Sequence, residues 1–148
     1  MRHETRTAPD LLLATLLLSG LLATVDAAAA TLEVTIEDVR SAEGRIMVQI
    51  VDSEAGFDGS EAPVAALLLD PVTPEVAFSV DLEPGEYGMR VMQDLDGDGA
   101  MDTNFVGMPT EPWAFSNNAV GQFGPPGWAD VRFETTTAPG MHSVRLVH

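Results

Sequence analysis

Short segments in which apolar and polar residues alternate recur along most of this chain, and they constrain its fold more than any other feature. In TLEVTIEDV, the apolar residues Leu32, Val34 and Ile36 fall on one side and polar residues on the other. A period of two residues is that of a β-strand with one buried face. This pattern, or a short apolar run bounded by prolines, predicts seven strands, within residues 31–39, 45–52, 63–70, 75–82, 86–94, 128–135 and 142–148.

Short strands separated by turns, with no convincing amphipathic helix, predict an all-β fold. The architecture that we expect is a single immunoglobulin-like or transthyretin-like β-sandwich of about seven strands. One segment, residues 94–127, lacks a regular pattern and is predicted to be a long irregular loop, which in a compact domain is often functional. Because this segment contains aromatic residues, we expect it to fold onto the sandwich rather than to form a disordered linker.

The first 30 residues differ from the rest and predict a secretory signal peptide. Arg2 and Arg6 precede the apolar run LLLATLLLSGLLATV, and the following DAAAAT offers small residues to a signal peptidase. The run is shorter than the roughly 20 residues that cross a bilayer as a helix, so an uncleaved anchor is only the alternative. We therefore expect a signal peptide over 1–30, a β-sandwich domain over 31–148 and a periplasmic or extracellular location.

The composition excludes several kinds of site and partner. The chain contains no cysteine, which excludes disulfides, thiolate metal ligands and a cysteine nucleophile. Its formal net charge is −16, with seven arginines as the only Lys or Arg residues. Because so acidic a surface repels nucleic acids and anionic lipids, we expect no nucleic-acid binding and no membrane insertion after signal cleavage. A glycan or protein partner in the envelope is compatible with it, and the oligomeric state is left open.

The segment DLDGDGAMD, residues 94–102, has the spacing of a calcium-binding loop. Such a loop places carboxylates at positions 1, 3 and 5, glycine at position 6, a backbone carbonyl at position 7 and often a water-bridged ligand at position 9. Gly99 falls at position 6, where the sharp bend is needed. The predicted calcium ligands are Asp94, Asp96, Asp98, the carbonyl oxygen of Ala100, and Asp102.

The segment is nevertheless not an EF-hand. Position 12 is Phe105 instead of a bidentate glutamate, and no helix is predicted on either side. With that ligand missing, we expect a dissociation constant of roughly 10⁻⁴ to 10⁻³ M, unless a residue further along the chain replaces it. The alternatives are a turn without an ion, since Asp and Gly also form turns, and another divalent cation such as Mg²⁺ or Mn²⁺. The candidates for the missing ligand are Asn104, Glu111, Asn117 and Asn118.

A catalytic site is not indicated. After residue 30 the chain has two histidines, His142 and His148, both on or beside the last predicted strand, where a surface position is the simpler interpretation. Neither a Ser-His-Asp triad nor a three-ligand zinc site follows from them. We therefore predict a non-catalytic module with a structural or interaction role.

The alternative function is calcium-dependent binding of a carbohydrate or peptide by the aromatic loop 105–128. Exposed aromatic side chains there would stack on sugar rings or hold a peptide, with asparagine side chains as hydrogen-bond partners. The competing interpretation is that the aromatic residues form a small satellite core under the loop. The candidate ligand-binding residues are Trp113, Phe115, Asn117, Asn118, Phe123 and Trp128.

Several short motifs occur in a distinctive order between Leu82 and Phe133: PGEY, the Asp-Gly loop, DTN, GMPTE, AFSNN, FGPP and an aromatic residue before a final strand. In this order they resemble the bacterial domain-of-unknown-function family 2141. The resemblance implies an exported, compact β-sandwich without an assigned activity. Where relatives often have Asn in the loop, this chain has Asp96 and Asp98. The PGEY strand entry also resembles transthyretin-like and Cna-B-type modules, a likeness at the level of the fold.

Overall fold

The computed structural model describes residues 28–148, so almost all of the predicted signal peptide lies outside the described residues. No helix in the described part is long and apolar enough to cross a membrane. The helical elements are α1 (Glu54–Asp58), a 3-10 turn (Ser116–Asn118) and α2 (Trp128–Val131). The strands are β1 (Ala30–Glu37), β2 (Arg45–Val51), β3 (Ala65–Leu69), β4 (Glu75–Leu82), β5 (Gly85–Asp94), β6 (Trp113–Phe115), β7 (Phe133–Thr135) and β8 (Gly140–Arg145).

The strands of residues 28–148 form two sheets, which confirms the all-β prediction. The smaller sheet has the order β4-β1-β8, in which β1 is antiparallel to β4 and parallel to β8. The larger sheet has the order β3-β2-β5-β6 with antiparallel neighbours, and β7 pairs with the start of β5. The described residues form eight strands, one more than predicted.

Apolar residues from both sheets form one buried cluster. Val34 and Ile36 of β1 and Ile50 of β2 are among its fully buried members, as the alternation predicted. Removing these side chains from water is the main stabilising contribution to such a fold. At the end of this core, the buried Gln93 side chain donates from Nε2 to the carbonyl oxygens of Ser41 and Glu43, both at 2.9 Å. These bonds fix the β1–β2 connection to the end of β5.

The predicted strand over residues 128–135 is wrong in its first half, which forms α2. The Asp130 carboxylate accepts a hydrogen bond from the Gly127 N–H at 3.3 Å and so caps the first turn. The Trp128 ring lies against Gly88, where a Cβ would stand 2.6 Å from the ring. The alternation in WADVRFET is therefore produced by a helical turn followed by the short strand β7, and not by one continuous strand.

The predicted irregular loop over residues 94–127 is also only partly irregular. It contains β6 and the 3-10 turn, and β6 is a strand of three residues, too short to show alternation. Its position is set by pairing with β5, which the local sequence does not specify. The helix α1 was likewise not predicted, although Ser53 caps it by accepting from the Gly56 N–H at 3.0 Å.

Candidate metal site

The candidate site lies where β5 ends and β6 begins. Met92 pairs with Trp113, and continuing this antiparallel register by two residues places Glu111 opposite Asp94. Two carboxylates directly opposite each other on neighbouring strands repel. The fold therefore brings together two acids that are far apart in the sequence.

Three carboxylates meet at this point. Asp94, Asp96 and Glu111 each offer one oxygen atom, and these atoms lie within 4.8 Å of one another. Only 4% of Asp94 and 5% of Glu111 are exposed, whereas Asp96 is exposed. The cluster is thus open to solvent on the Asp96 side and closed by protein on the other.

Backbone N–H groups of the loop hold the two buried carboxylates in place. Asp94 accepts from Gly97 through Oδ1 at 2.7 Å and from Gly99 through Oδ2 at 2.9 Å. Glu111 accepts from Leu95 through Oε1 at 2.7 Å and from Asp102 through Oε2 at 3.2 Å. Because a carboxylate has about four lone-pair sites, these bonds still leave each side chain able to bind an ion.

The remaining predicted ligands occupy the outer part of the loop. Gly99 has a φ of +80°, in agreement with the sharp bend predicted at this residue. Asp98 is exposed and accepts from the Ala100 N–H at 2.8 Å, which is a local turn contact. Neither Asp98 nor Asp102 is in the group of three whose oxygen atoms lie within 4.8 Å.

The negative charges of the loop shift the pKa of Asp102. The negative charge of Asp96 raises the pKa of Asp102, with burial and the charges of Asp98, Glu111 and Asp94 acting in the same direction. Among residues 28–148, no Arg or His forms an ion pair with the carboxylates of the loop. Arg45 stands opposite Asp94 in the sheet, but its guanidinium group pairs with Asp70. The cluster is therefore negative and lacks a protein counter-charge.

Of the four candidates for the missing ligand, the structure brings Glu111 to the cluster. The Oδ1 atom of Asn104 is engaged elsewhere, since it accepts from the N–H groups of Val106 and Met108 at 3.0 and 3.1 Å. The sequence could name Glu111 only as one of the four candidates further along the loop.

The comparison with known proteins identifies the family of the chain. The model of a family described as uncharacterized protein conserved in bacteria (DUF2141) matches residues 34–142. The chain belongs to this family. No curated protein and no solved structure matches the chain. The DUF2141 match includes both Asp94 and Glu111, so the whole candidate site lies within the family domain.

The four aromatic candidates for ligand binding in the DUF2141 domain divide between two environments. Phe115 and Trp128 pack around Phe57 of α1, with ring centroids 5.6 and 6.2 Å from the Phe57 ring, in a second, smaller apolar cluster. Trp113 is half-buried and lies 5.4 Å from the Phe115 ring. Phe123 is fully exposed. The satellite-core interpretation thus fits Phe115 and Trp128, whereas Trp113 and Phe123 stay accessible.

The two asparagines of the AFSNN motif connect neighbouring segments of the domain. Asn117 donates from Nδ2 to the carbonyl oxygens of Asp130 and Arg132, both at 3.0 Å. The Oδ1 atom of Asn118 accepts from the Arg145 N–H of β8 at 2.7 Å. Both residues have a positive φ, which Asn tolerates better than most residues. Their side chains are therefore engaged in internal contacts.

His142 couples the fold of the DUF2141 domain to pH. Its ring stacks on Phe133 with centroids 4.3 Å apart, and its Nε2 accepts from the Asn117 N–H at 3.3 Å. Burial lowers the pKa of His142 below its ordinary value. Because the unfolded chain then binds a proton more readily, stability is complete above about pH 6.5 and falls as the pH drops from there to the lowered pKa.

We expect urea midpoints to show this loss in the wild type and to show a smaller loss in His142→Gln. His148→Gln is the matched control, since it removes the other described histidine and keeps the contacts of His142. An equal pH dependence in the wild type and His142→Gln would contradict the assignment.

Proposed function

We propose that this DUF2141 protein is an exported, non-catalytic module of the periplasm or cell surface, whose acidic loop binds calcium. In this proposal the two sheets form an immunoglobulin-like or transthyretin-like β-sandwich with a structural or interaction role in the cell envelope. The observation that carries the proposal is the convergence of Asp94, Asp96 and Glu111 within 4.8 Å, two of them buried.

A cation at this point would resolve an electrostatic conflict. A buried carboxylate is costly unless it is paired or hydrogen-bonded. The backbone N–H groups give Asp94 and Glu111 some of the hydrogen bonds that a buried carboxylate requires. They do not cancel the repulsion between the two negative charges. A divalent cation bound between them would convert this repulsion into attraction and would hold the 94–102 loop against the end of β6.

The donor set favours calcium over other divalent ions. Zinc and the later transition metals prefer imidazole or thiolate ligands, and the cluster consists of carboxylates alone. Magnesium requires near-ideal octahedral geometry at short distances and gives up its water reluctantly. Calcium accepts six to eight oxygen atoms in flexible geometry, so carboxylates, a loop carbonyl and water from the open side would suffice.

Thermal unfolding with calcium, magnesium or EDTA tests this proposal. At about 10 mM calcium and a dissociation constant of 10⁻⁴ to 10⁻³ M, the folded state gains about 1.4 to 2.7 kcal/mol. For a domain of this size, that gain corresponds to a rise of roughly 5 to 10 °C in the melting temperature. We expect the rise with calcium, and a much smaller one with magnesium at equal ionic strength.

The double substitution Asp96→Ala and Asp98→Ala is the first variant to compare. Both residues are exposed, and Asp96 is one of the three clustered carboxylates, so we expect the variant to lose the calcium effect and to keep the circular dichroism of the β-structure largely unchanged. Equal melting temperatures of the wild type in calcium and in EDTA would overturn the proposal.

Calcium-dependent binding of a carbohydrate or peptide is a second candidate. An open cleft of about 290 Å³ lies between β6 and the end of β8, and its lining includes Trp113, Phe115, Asn118 and Arg145. An aromatic ring beside polar side chains is suited to a sugar or a peptide. Glycan-array and peptide screens in calcium and in EDTA would support this candidate if the same ligand bound only with calcium. Silence in both would favour the structural role.

A further inference from the structure

The chain contains three Asp-Gly links, at residues 58–59, 96–97 and 98–99, and the last two lie in the 94–102 loop. Asp-Gly is the sequence most prone to rearrange to isoaspartate, because glycine has no side chain to obstruct attack by its backbone nitrogen. Both aspartates of the two loop links are exposed. A Cβ at Gly97 or Gly99 would meet no atom within 4 Å, so packing does not shield these links.

The rearrangement has two steps, which need no oxidant and leave the mass of the chain unchanged. In the first step, the glycine nitrogen attacks the side-chain carboxyl carbon of the preceding aspartic acid and forms a C–N bond. The N–H proton and the carboxyl hydroxyl group leave as water. In the second step, water opens the resulting five-membered imide at the main-chain carbonyl. The backbone then runs through the former side chain and is one methylene longer, and the carboxylate stands on a different carbon.

Asp94 holds the attacking nitrogen of both loop links. Its Oδ1 accepts from the Gly97 N–H at 2.7 Å, and its Oδ2 accepts from the Gly99 N–H at 2.9 Å. Both bonds are short and charge-assisted, and Asp94 is only 4% exposed. Because the glycine nitrogen loses its proton in the first step, this bond must break at each link before the imide can form.

The carboxyl groups that would be attacked are held as well. The Oδ1 atom of Asp96 accepts from the Asp98 N–H at 3.1 Å, and that of Asp98 accepts from the Ala100 N–H at 2.8 Å. Each carboxyl group is thus bonded to the N–H two residues further on, in a local turn. Both partners of the reaction are therefore fixed at each loop link.

The third link shows which of these contacts is particular to the loop. The Asp58 carboxyl group is held in the same way, since its Oδ1 accepts from the Ser60 N–H at 2.9 Å. The Gly59 nitrogen, however, donates to the carbonyl oxygen of Gly56 at 3.3 Å and not to a carboxylate. The carboxylate acceptor for the glycine nitrogen is thus present at the two loop links and absent at 58–59.

We propose that Asp94 protects the 96–97 and 98–99 links from isoaspartate formation, and that these links are modification sites once this protection is lost. An isoaspartate at either link would lengthen the backbone of the loop and displace one of its carboxylates. Only this consequence for ion binding rests on the proposed function, because the protection itself requires no cation.

Ageing of the protein in EDTA at neutral pH, followed by peptide mapping that separates isoaspartate from aspartate, tests this proposal. A synthetic peptide of residues 91–105 serves as the unprotected reference. Because a charge-assisted hydrogen bond must break, we expect both loop links to rearrange roughly 10-fold to 150-fold more slowly in the folded wild type. Equal rates in the protein and the peptide would overturn the proposal. Calcium-dependent melting of the same samples is measured separately, so that either proposal can fail alone.

Asp94→Asn is the variant that decides the role of Asp94. The amide has nearly the same shape but only one oxygen, so one glycine N–H loses its acceptor and one of the two links should rearrange faster. Asp94→Ala should release both links. Wild-type rates at both links in Asp94→Asn would overturn the assignment. Slower rates would overturn it equally, since Asp94 would then act as a base that removes the proton.

Asp102→Ala is the matched control. It removes the same charge from an exposed position of the same loop and leaves both bonds to Asp94 intact, so we expect wild-type rates at the loop links. A rise as large as in Asp94→Ala would attribute the protection to the charge of the loop and not to Asp94. The 58–59 link in the same digests reports unfolding. If it also accelerates in Asp94→Ala, the Asp94→Asn protein, which keeps the shape of the side chain, decides the outcome.

Discussion

Replacing Glu111 by Gln is expected to remove the calcium-dependent rise in melting temperature, in full or nearly so, without unfolding the protein. The substitution removes one negative charge and one ligand from the cluster, and the remaining amide oxygen still accepts from the Leu95 N–H. It loses the bond from Asp102, which contributes about 1 kcal/mol. In EDTA, this loss is partly offset because the repulsion between positions 94 and 111 disappears. The variant in EDTA should therefore melt close to the wild type in EDTA.

Glu134→Gln provides the control for this measurement. Glu134 lies exposed on β7, so the same chemical change there alters the net charge equally and leaves the cluster intact. Calcium should stabilise Glu134→Gln as much as the wild type. If calcium stabilised Glu111→Gln to the same extent, the ion would bind elsewhere on this acidic surface, and Glu111 would be a structural residue of the loop.

Some residues of the candidate metal site could be predicted from the sequence, and others could not. The spacing of Asp94 and Asp96 and the bend at Gly99 could be predicted, because residues within one loop are close whatever the rest of the chain does. Glu111 could be named only as one of several candidates, since its approach to Asp94 depends on the pairing of β5 with β6. That pairing is tertiary, and the three residues of β6 carry no periodic signal.

The secondary-structure elements also differ in how well the sequence predicts them. Long strands such as β1 and β5 could be predicted because one buried face imposes a period of two over many residues. The pattern predicts a strand at Trp128, where the structure has a turn of helix, since the four residues of WADV satisfy either period. What decides between them is the space beside Gly88 and the cap from Asp130, and neither is a property of the local pattern. The elements that the sequence does not predict are therefore determined by strand pairing and by contacts between distant segments, rather than by local propensity.

Gly44→Ala is expected to lower the free energy of unfolding by about 3 kcal/mol or more, combining backbone strain with a direct clash. Gly44 has a φ of +68°, and a Cβ there would lie 1.9 Å from the Asp94 carbonyl oxygen and 2.7 Å from the Leu95 Cα. These are backbone atoms, so the clash is relieved only by moving β2 away from the end of β5. Urea unfolding followed by circular dichroism measures the loss.

Gly59→Ala separates the two contributions to this effect. Gly59 has a similar φ of +88°, but a Cβ there would meet no atom within 4 Å. It should therefore show only the cost of the left-handed backbone, roughly 1 to 2 kcal/mol. The end of β5 carries Asp94, so Gly44→Ala should also weaken calcium binding, whereas Gly59→Ala should not. Equal losses of stability in the two variants would mean that β2 and β5 separate easily at this point, and the rigid placement of Asp94 opposite Glu111 would then lack its support.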